Sequence, residues 1–169
     1  MDIASFLIYC FIVTYTPGPT NVLILSTVQN FGAKKALTFG VGAISGLGLL
    51  LWLSAFLNSV LVVLVPKILG IMQVIGCIYM LYLAYQIYHM DISKGSKKQI
   101  TTFGTGFLMQ FVNPKALLFT MTVLPSFVMP YYTSSWMLAL FAVVILIIGF
   151  TACITWIVSG TVFNGIGHR

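Results

Sequence analysis

Thr14-Tyr15-Thr16-Pro17-Gly18-Pro19-Thr20-Asn21 interrupts an apolar run that extends over residues 3–28. Each proline lacks an N–H and crowds the carbonyl four residues earlier, so Val13 and Tyr15 are expected to lose their ordinary helical partners and the helix to break or kink. In hydrocarbon an unpaired peptide group is expensive, so such a break is tolerable only where protein or a water-filled cavity covers it. Thr16, Thr20 and Asn21 could supply hydrogen bonds to the opened backbone or to a ligand.

The composition makes hydrocarbon the relevant solvent. With 60% hydrophobic and 6% charged residues, a chain of 169 residues has more apolar side chain than one soluble core can hide. Stretches long enough to cross a ~30 Å layer run over residues 3–28, 36–57, 68–88, 102–124 and 136–158, about five crossings. Barrel strands would show short alternating patterns instead. The expected fold is all-α, a polytopic transmembrane helix bundle forming a single transmembrane domain over residues 1–169. The apolar stretch 60–65, closed by Pro66, is too short to span and either continues the second helix or dips into the interface.

The formal net charge of +6 does not point to nucleic acid, because the basic residues lie in short gaps between apolar runs. They read as topology signals. Lys34 and Lys35 follow the first span, Lys94, Lys97 and Lys98 the third, and Arg169 the fifth, whereas the alternate gaps hold Lys67 or no cation. This pattern predicts the N-terminus outside and the C-terminus in the cytoplasm, with Tyr131, Tyr132 and Trp136 as an outer aromatic belt. Tyr79, Tyr82, Tyr85 and Tyr88 recur every third residue as an interfacial anchor or a pore-lining stripe. No signal peptide is expected after Met1-Asp2. Cys10, Cys77 and Cys153 are widely spaced within apolar runs, as small buried hydrophobes are.

The fourth span carries a second interruption, Gln110-Phe111-Val112-Asn113-Pro114-Lys115. Counted from opposite entry sides, Pro17 and Pro114 both lie roughly 18–22 Å deep at ~1.5 Å per residue. Matching breaks in spans that enter from opposite faces are what an inverted repeat of three helices plus three would produce, with a binding site between the halves. Lys115 would stand at mid-membrane at a cost of about 2.5–3.5 kcal/mol, with no Asp or Glu in any span to neutralise it. It either snorkels or pins freed carbonyls, or it faces a cavity and attracts an anionic group such as a substrate carboxylate. The run Gly40-Val41-Gly42-Ala43-Ile44-Ser45-Gly46-Leu47-Gly48 lets helices approach closely, for packing, sliding or dimerisation. Asn58, Gln73, Thr151 and Thr155 read as interhelical glue.

Pro17-Gly18-Pro19-Thr20-Asn21, Gly32-Ala33-Lys34-Lys35-Ala36 and the glycine-rich second span resemble the N-terminal part of the LysE/RhtB family of amino-acid exporters. Lys67-Ile68-Leu69-Gly70 with Gly76-Cys77-Ile78-Tyr79 is similar to that family's third helix, and Phe103-Gly104-Thr105-Gly106-Phe107 through Asn113-Pro114-Lys115 to its fourth. The resemblance implies an exporter of the bacterial inner membrane driven by the proton gradient. It puts Pro17, Gly18, Pro19, Asn21, Asn113, Pro114 and Lys115 at the transport site; Thr20 and Gln110, polar residues of the same two interruptions, complete the candidate set. The family has six spans where this sequence shows about five, and proton carriers often use an intramembrane acid, which this sequence lacks.

The expected function is export of a neutral amino acid or derivative, threonine- or homoserine-like or branched-chain, since a dibasic one would bring a second cation beside Lys115. The alternatives are a non-transporting or channel-like subunit and, with less support, an intramembrane enzyme. The enzyme reading lacks a Cys-x-x-Cys, a His pair, an acidic dyad or a serine with a nearby base. No catalytic residue, metal or cofactor is expected. The partners are a small-molecule amino acid and membrane lipid, without nucleic acid, and homo-oligomerisation stays open.

Overall fold

Asp2 starts the first helix by accepting hydrogen bonds from the N–H groups of Ala4 and Ser5, at 3.0 and 3.4 Å. Helix α1 (Ile3–Tyr15) ends where the prolines begin, and its last amide, that of Thr16, still reaches the Ile12 carbonyl at 3.0 Å. Helix α2 (Pro19–Phe31) restarts with Pro19 in its first turn, where a missing N–H costs nothing, and lies at 47° to α1. It turns directly into α3 (Ala33–Phe56) through Gly32, whose φ of +84° is open in practice to glycine.

The structure, a computed structural model, describes residues 1–56, 74, 78, 81 and 101–167, with side chains through residue 163. The third expected span, the stretch 60–66, the tyrosine series, Cys77, Asn58 and Gln73 lie outside the described residues or their described surroundings. Helix α4 (Phe103–Val112) opens on a capping box between Thr102 and Thr105. Asn113 then closes α4 and caps α5 (Pro114–Val123), its Oδ1 accepting from the Lys115 amide at 3.0 Å. Pro125 cannot supply an N–H to the turn behind it, and the chain widens to π spacing over Leu124–Val128, closed by Met129 N–H to the Leu124 carbonyl at 2.9 Å. The bend between α4 and the α5 segment is 69°. Helix α6 (Ser135–Gly167) follows.

The described residues are thus helical, with two helices of crossing length and two bent pairs, each long and apolar enough for one broken span. The expectation of broken first and fourth helices is met. Helix α6 runs beyond the expected 136–158 because its polar residues do not break it: the hydroxyls of Ser159 and Thr161 bond back to the carbonyls of Thr155 and Val158, at 2.8 and 2.7 Å. Tyr131 and Trp136 are exposed as a belt requires, but Tyr132 turns inward and stacks on Phe141 with ring centroids 5.8 Å apart.

Small residues bring α3 and α4 into backbone contact. A Cβ on Gly46 would stand 2.5 Å from the Phe107 carbonyl oxygen, and Cβ atoms on Gly42 and Gly106 would overlap the carbonyls of Phe103 and Phe39. The glycine run of the second span is therefore an intramolecular packing face. Two apolar layers result. One joins Phe6 and Cys10 of α1, Leu47, Leu50 and Leu51 of α3, Leu117 and Phe119 of α5, and Ile145 and Ile148 of α6. The other joins Leu23, Ile24 and Val28 of α2, Ala36 and Phe39 of α3, Met109 of α4, and Cys153 and Ile157 of α6. Helix α1 shares its layer with α5, and α2 with α4, so the two broken spans run in opposite directions and both break at the level between the layers. Cys10 and Cys153 are free and buried, as small core hydrophobes.

Candidate functional site

The prolines that end α1 free a row of carbonyls, and other parts of the bundle take them up. The Asn21 amide nitrogen donates to the Thr14 and Thr16 carbonyls at 2.9 and 3.0 Å, spanning the break from its far side. The Trp156 indole N–H, on α6, donates to the Tyr15 carbonyl at 3.3 Å. Tyr15 has lost its helical partner as expected and gained an indole in its place. Its hydroxyl also donates to Thr151 at 3.1 Å, the interhelical role expected of that threonine.

The second break meets the first directly. Thr20 Oγ1 accepts hydrogen bonds from Gln110 Nε2 and Asn113 Nδ2, both at 3.0 Å. The Lys115 ammonium donates to the Thr16 carbonyl at 2.5 Å. Its stem lies across Gly18, where a Cβ would come within 2.9 Å of Lys115 Cδ and 3.2 Å of Nζ. Gln110 and Asn113 are each 4% exposed, so without Thr20 their amide groups would be buried polar atoms lacking an acceptor.

Beside this network lies a cavity of about 80 Å³. Gly18, Thr20, Asn21, Gln110, Asn113 and Lys115 line it on the polar side. At roughly 10–15 Å³ of such space per water, it has room for several waters, the scale of a small polar solute. Of the candidate residues, six line the cavity. Pro17, Pro19 and Pro114 do not; Pro19 and Pro114 begin the helices that carry the lining residues, and Pro17 stays exposed in the break.

The sequence reading missed the rest of the wall: Val13, Thr14, Ala43, Ile44, Leu47, Ala116, Phe119 and Gly149. Half of them, Ala43, Ile44, Leu47 and Gly149, sit on unbroken helices, and only tertiary packing turns these toward the cavity. Trp156 carried a signal, since even a half-buried tryptophan in an apolar bundle needs an acceptor for its indole N–H.

Electrostatically the cavity is lopsided. Among the described residues Lys115 is the one charged residue that lines it. The sequence's two acidic residues are Asp2, which caps α1, and Asp91, in the polar stretch after the third expected span. Helix α2 begins at Gly18 without a side-chain cap, so the positive end of its dipole also faces this level of the bundle. Among the described residues no cluster of His, Cys, Asp or Glu could hold a metal ion.

The LysE type translocator family matches residues 11–164. A cysteine/O-acetylserine efflux protein of Klebsiella pneumoniae is 31% identical over 96% of this chain and 83% of its own length. The cysteine/O-acetylserine efflux proteins of Salmonella typhimurium and Escherichia coli K12 are each 28% identical, over 97% and 96% of this chain and 85% and 84% of theirs. No solved structure matches the chain. With the match running across both broken helices and the cavity between them, this chain belongs to the LysE type translocator family, whose members carry solutes and are not enzymes.

Proposed function

We propose that the chain is a secondary transporter that exports a small neutral amino acid across the bacterial inner membrane. The carrying observation is the Lys115 ammonium, which among the described residues is held by the Thr16 carbonyl alone, beside a cavity that both helix breaks line. A carboxylate is a better partner for an ammonium than a neutral carbonyl is, because both charges contribute. An entering amino acid displaces the Thr16 carbonyl from Lys115 with its carboxylate, and the α2 N-terminus adds to the attraction. Displacement loosens the contact between the broken spans, which supports a site that alternates between the two faces.

Size and charge narrow the substrate. About 80 Å³ favours a short side chain, and the Lys115 ammonium disfavours a second cation. Cysteine-, threonine- and homoserine-like solutes meet both conditions, and the wall of Val13, Leu47 and Phe119 would also accept a branched apolar side chain. The efflux function of the relatives supports the direction of transport. Coupling to the proton gradient, an N-terminus outside and a cytoplasmic C-terminus belong to the same proposal, as do the single transmembrane domain and the inverted repeat. The recurrence of a broken pair followed by one long helix, α1/α2 with α3 and α4/α5 with α6, supports the repeat.

The test is efflux of labelled amino acids from cells with and without the gene, at equal loading. Neutral, short amino acids should leave faster with the gene, against their gradient and sensitive to an uncoupler, while lysine and arginine efflux stays unchanged. Equal efflux of all twenty in both cells would sink the proposal, and flux only down the gradient would make the protein a channel.

A further inference from the structure

We infer that the cavity also carries small 2-hydroxy monocarboxylates, anions with the carboxylate of an amino acid and a hydroxyl where the amino acid has its ammonium. The inference rests on the transport-site reading given above. It follows from a charge inventory that favours an anion over a zwitterion. Among the described residues Lys115 is the single charged one that lines the cavity, and Asp2, the one acidic residue described, is engaged at the start of α1. A zwitterion brings one charge of each sign and leaves the occupied site as positive as before. A hydroxy acid brings only the negative one and leaves the site neutral, the state that a low-dielectric interior favours.

Hydrogen-bond supply points the same way. Thr20 Oγ1 already accepts from Gln110 and Asn113, so its own O–H is the group left to give. Donors for a carboxylate are therefore Lys115, Thr20 and the first turn of α2. Among the described lining residues, the acceptors for a substrate's α-substituent are neutral oxygens. Thr14 is one of them, its own hydroxyl proton directed to the Cys10 carbonyl at 2.8 Å. An ammonium has three N–H donors to satisfy and a charge to balance, whereas a hydroxyl is satisfied by one neutral acceptor.

Counterflow into proteoliposomes holding the full chain tests this, with labelled glycerate, the 2-hydroxy analogue of serine, beside labelled L-serine, L-cysteine and L-threonine. Glycerate should accumulate with a half-saturation no more than about threefold above that of the best amino acid, and each should inhibit the other. Transport of amino acids that glycerate neither accompanies nor inhibits at about hundredfold excess overturns this inference and leaves amino-acid export standing. Glycerate transport without any amino-acid transport supports it and overturns the export reading. Transport of neither overturns both.

Discussion

Gly18 stands under the Lys115 stem, and that contact separates its role from that of an ordinary turn glycine. Its φ of −165° is extended backbone that any residue adopts, so alanine there strains nothing locally. What the new methyl meets is the end of a flexible side chain, Lys115 Cδ at 2.9 Å. Gly18→Ala is therefore expected to leave thermal stability within about 0.5 kcal/mol. It should raise the half-saturation for export about tenfold, because the ammonium is pushed off its position. Equal export by the variant would show that Lys115 need not sit where it does. Thr20→Val acts oppositely. It keeps the shape but strips Gln110 Nε2 and Asn113 Nδ2 of their shared acceptor, a loss of about 1–3 kcal/mol visible in thermal unfolding in detergent. An unchanged unfolding profile would mean that the two amides find other acceptors. Lys115, Thr20, Asn21 and Asn113 were legible because a charge, amide or hydroxyl beside a proline break in an apolar run has to be accounted for. Val13, Leu47, Phe119 and Gly149 were not, since nothing local distinguishes a cavity wall from a core.

Among elements, the corners were the most legible features and the helix lengths the least. Two prolines around one glycine, and an Asn-Pro pair, break a helix by removing donors, and the bends of 47° and 69° stand at those positions. The π segment at Leu124–Val128 was not anticipated, because Pro125 was hidden at the end of an apolar run where a simple helix end was expected. Gly32 and Gly106 show two different demands for glycine. Gly32 has open space around it but φ of +84°, so Gly32→Ala should cost about 1–3 kcal/mol of backbone strain alone. Gly106→Ala meets the Phe39 carbonyl, which no rotamer can move, and should destabilise by a similar about 1–3 kcal/mol through separation of α3 from α4. Thermal unfolding of both variants checks the pair; a neutral Gly106→Ala would contradict the close α3–α4 approach. At the start of α1, the Ser5 hydroxyl and the backbone amides hold the Asp2 carboxyl below its ordinary 3.8. A folded value below the unfolded one makes this cap stabilising at neutral pH and weakens it only as pH falls through the folded value. An Asp2 titration by NMR with its midpoint at or above 3.8 would contradict that cap.

For the whole molecule, the polar level between two apolar layers is the organising feature. Composition and span length made the membrane bundle legible, and matching proline depth anticipated that the two breaks would meet. What sequence could not supply was their joining through Thr20, since side chains 90 and 93 residues apart pair only once the antiparallel spans are packed. The central claim is that the charge held at this junction binds the carboxylate of the transported solute. Efflux from proteoliposomes containing equal amounts of inserted wild-type and Lys115→Met protein tests it most directly. The account predicts that the variant inserts as well or better, since it buries no ammonium, and that its transport at low substrate falls about ten- to hundredfold. Wild-type transport by the Lys115→Met protein would contradict it.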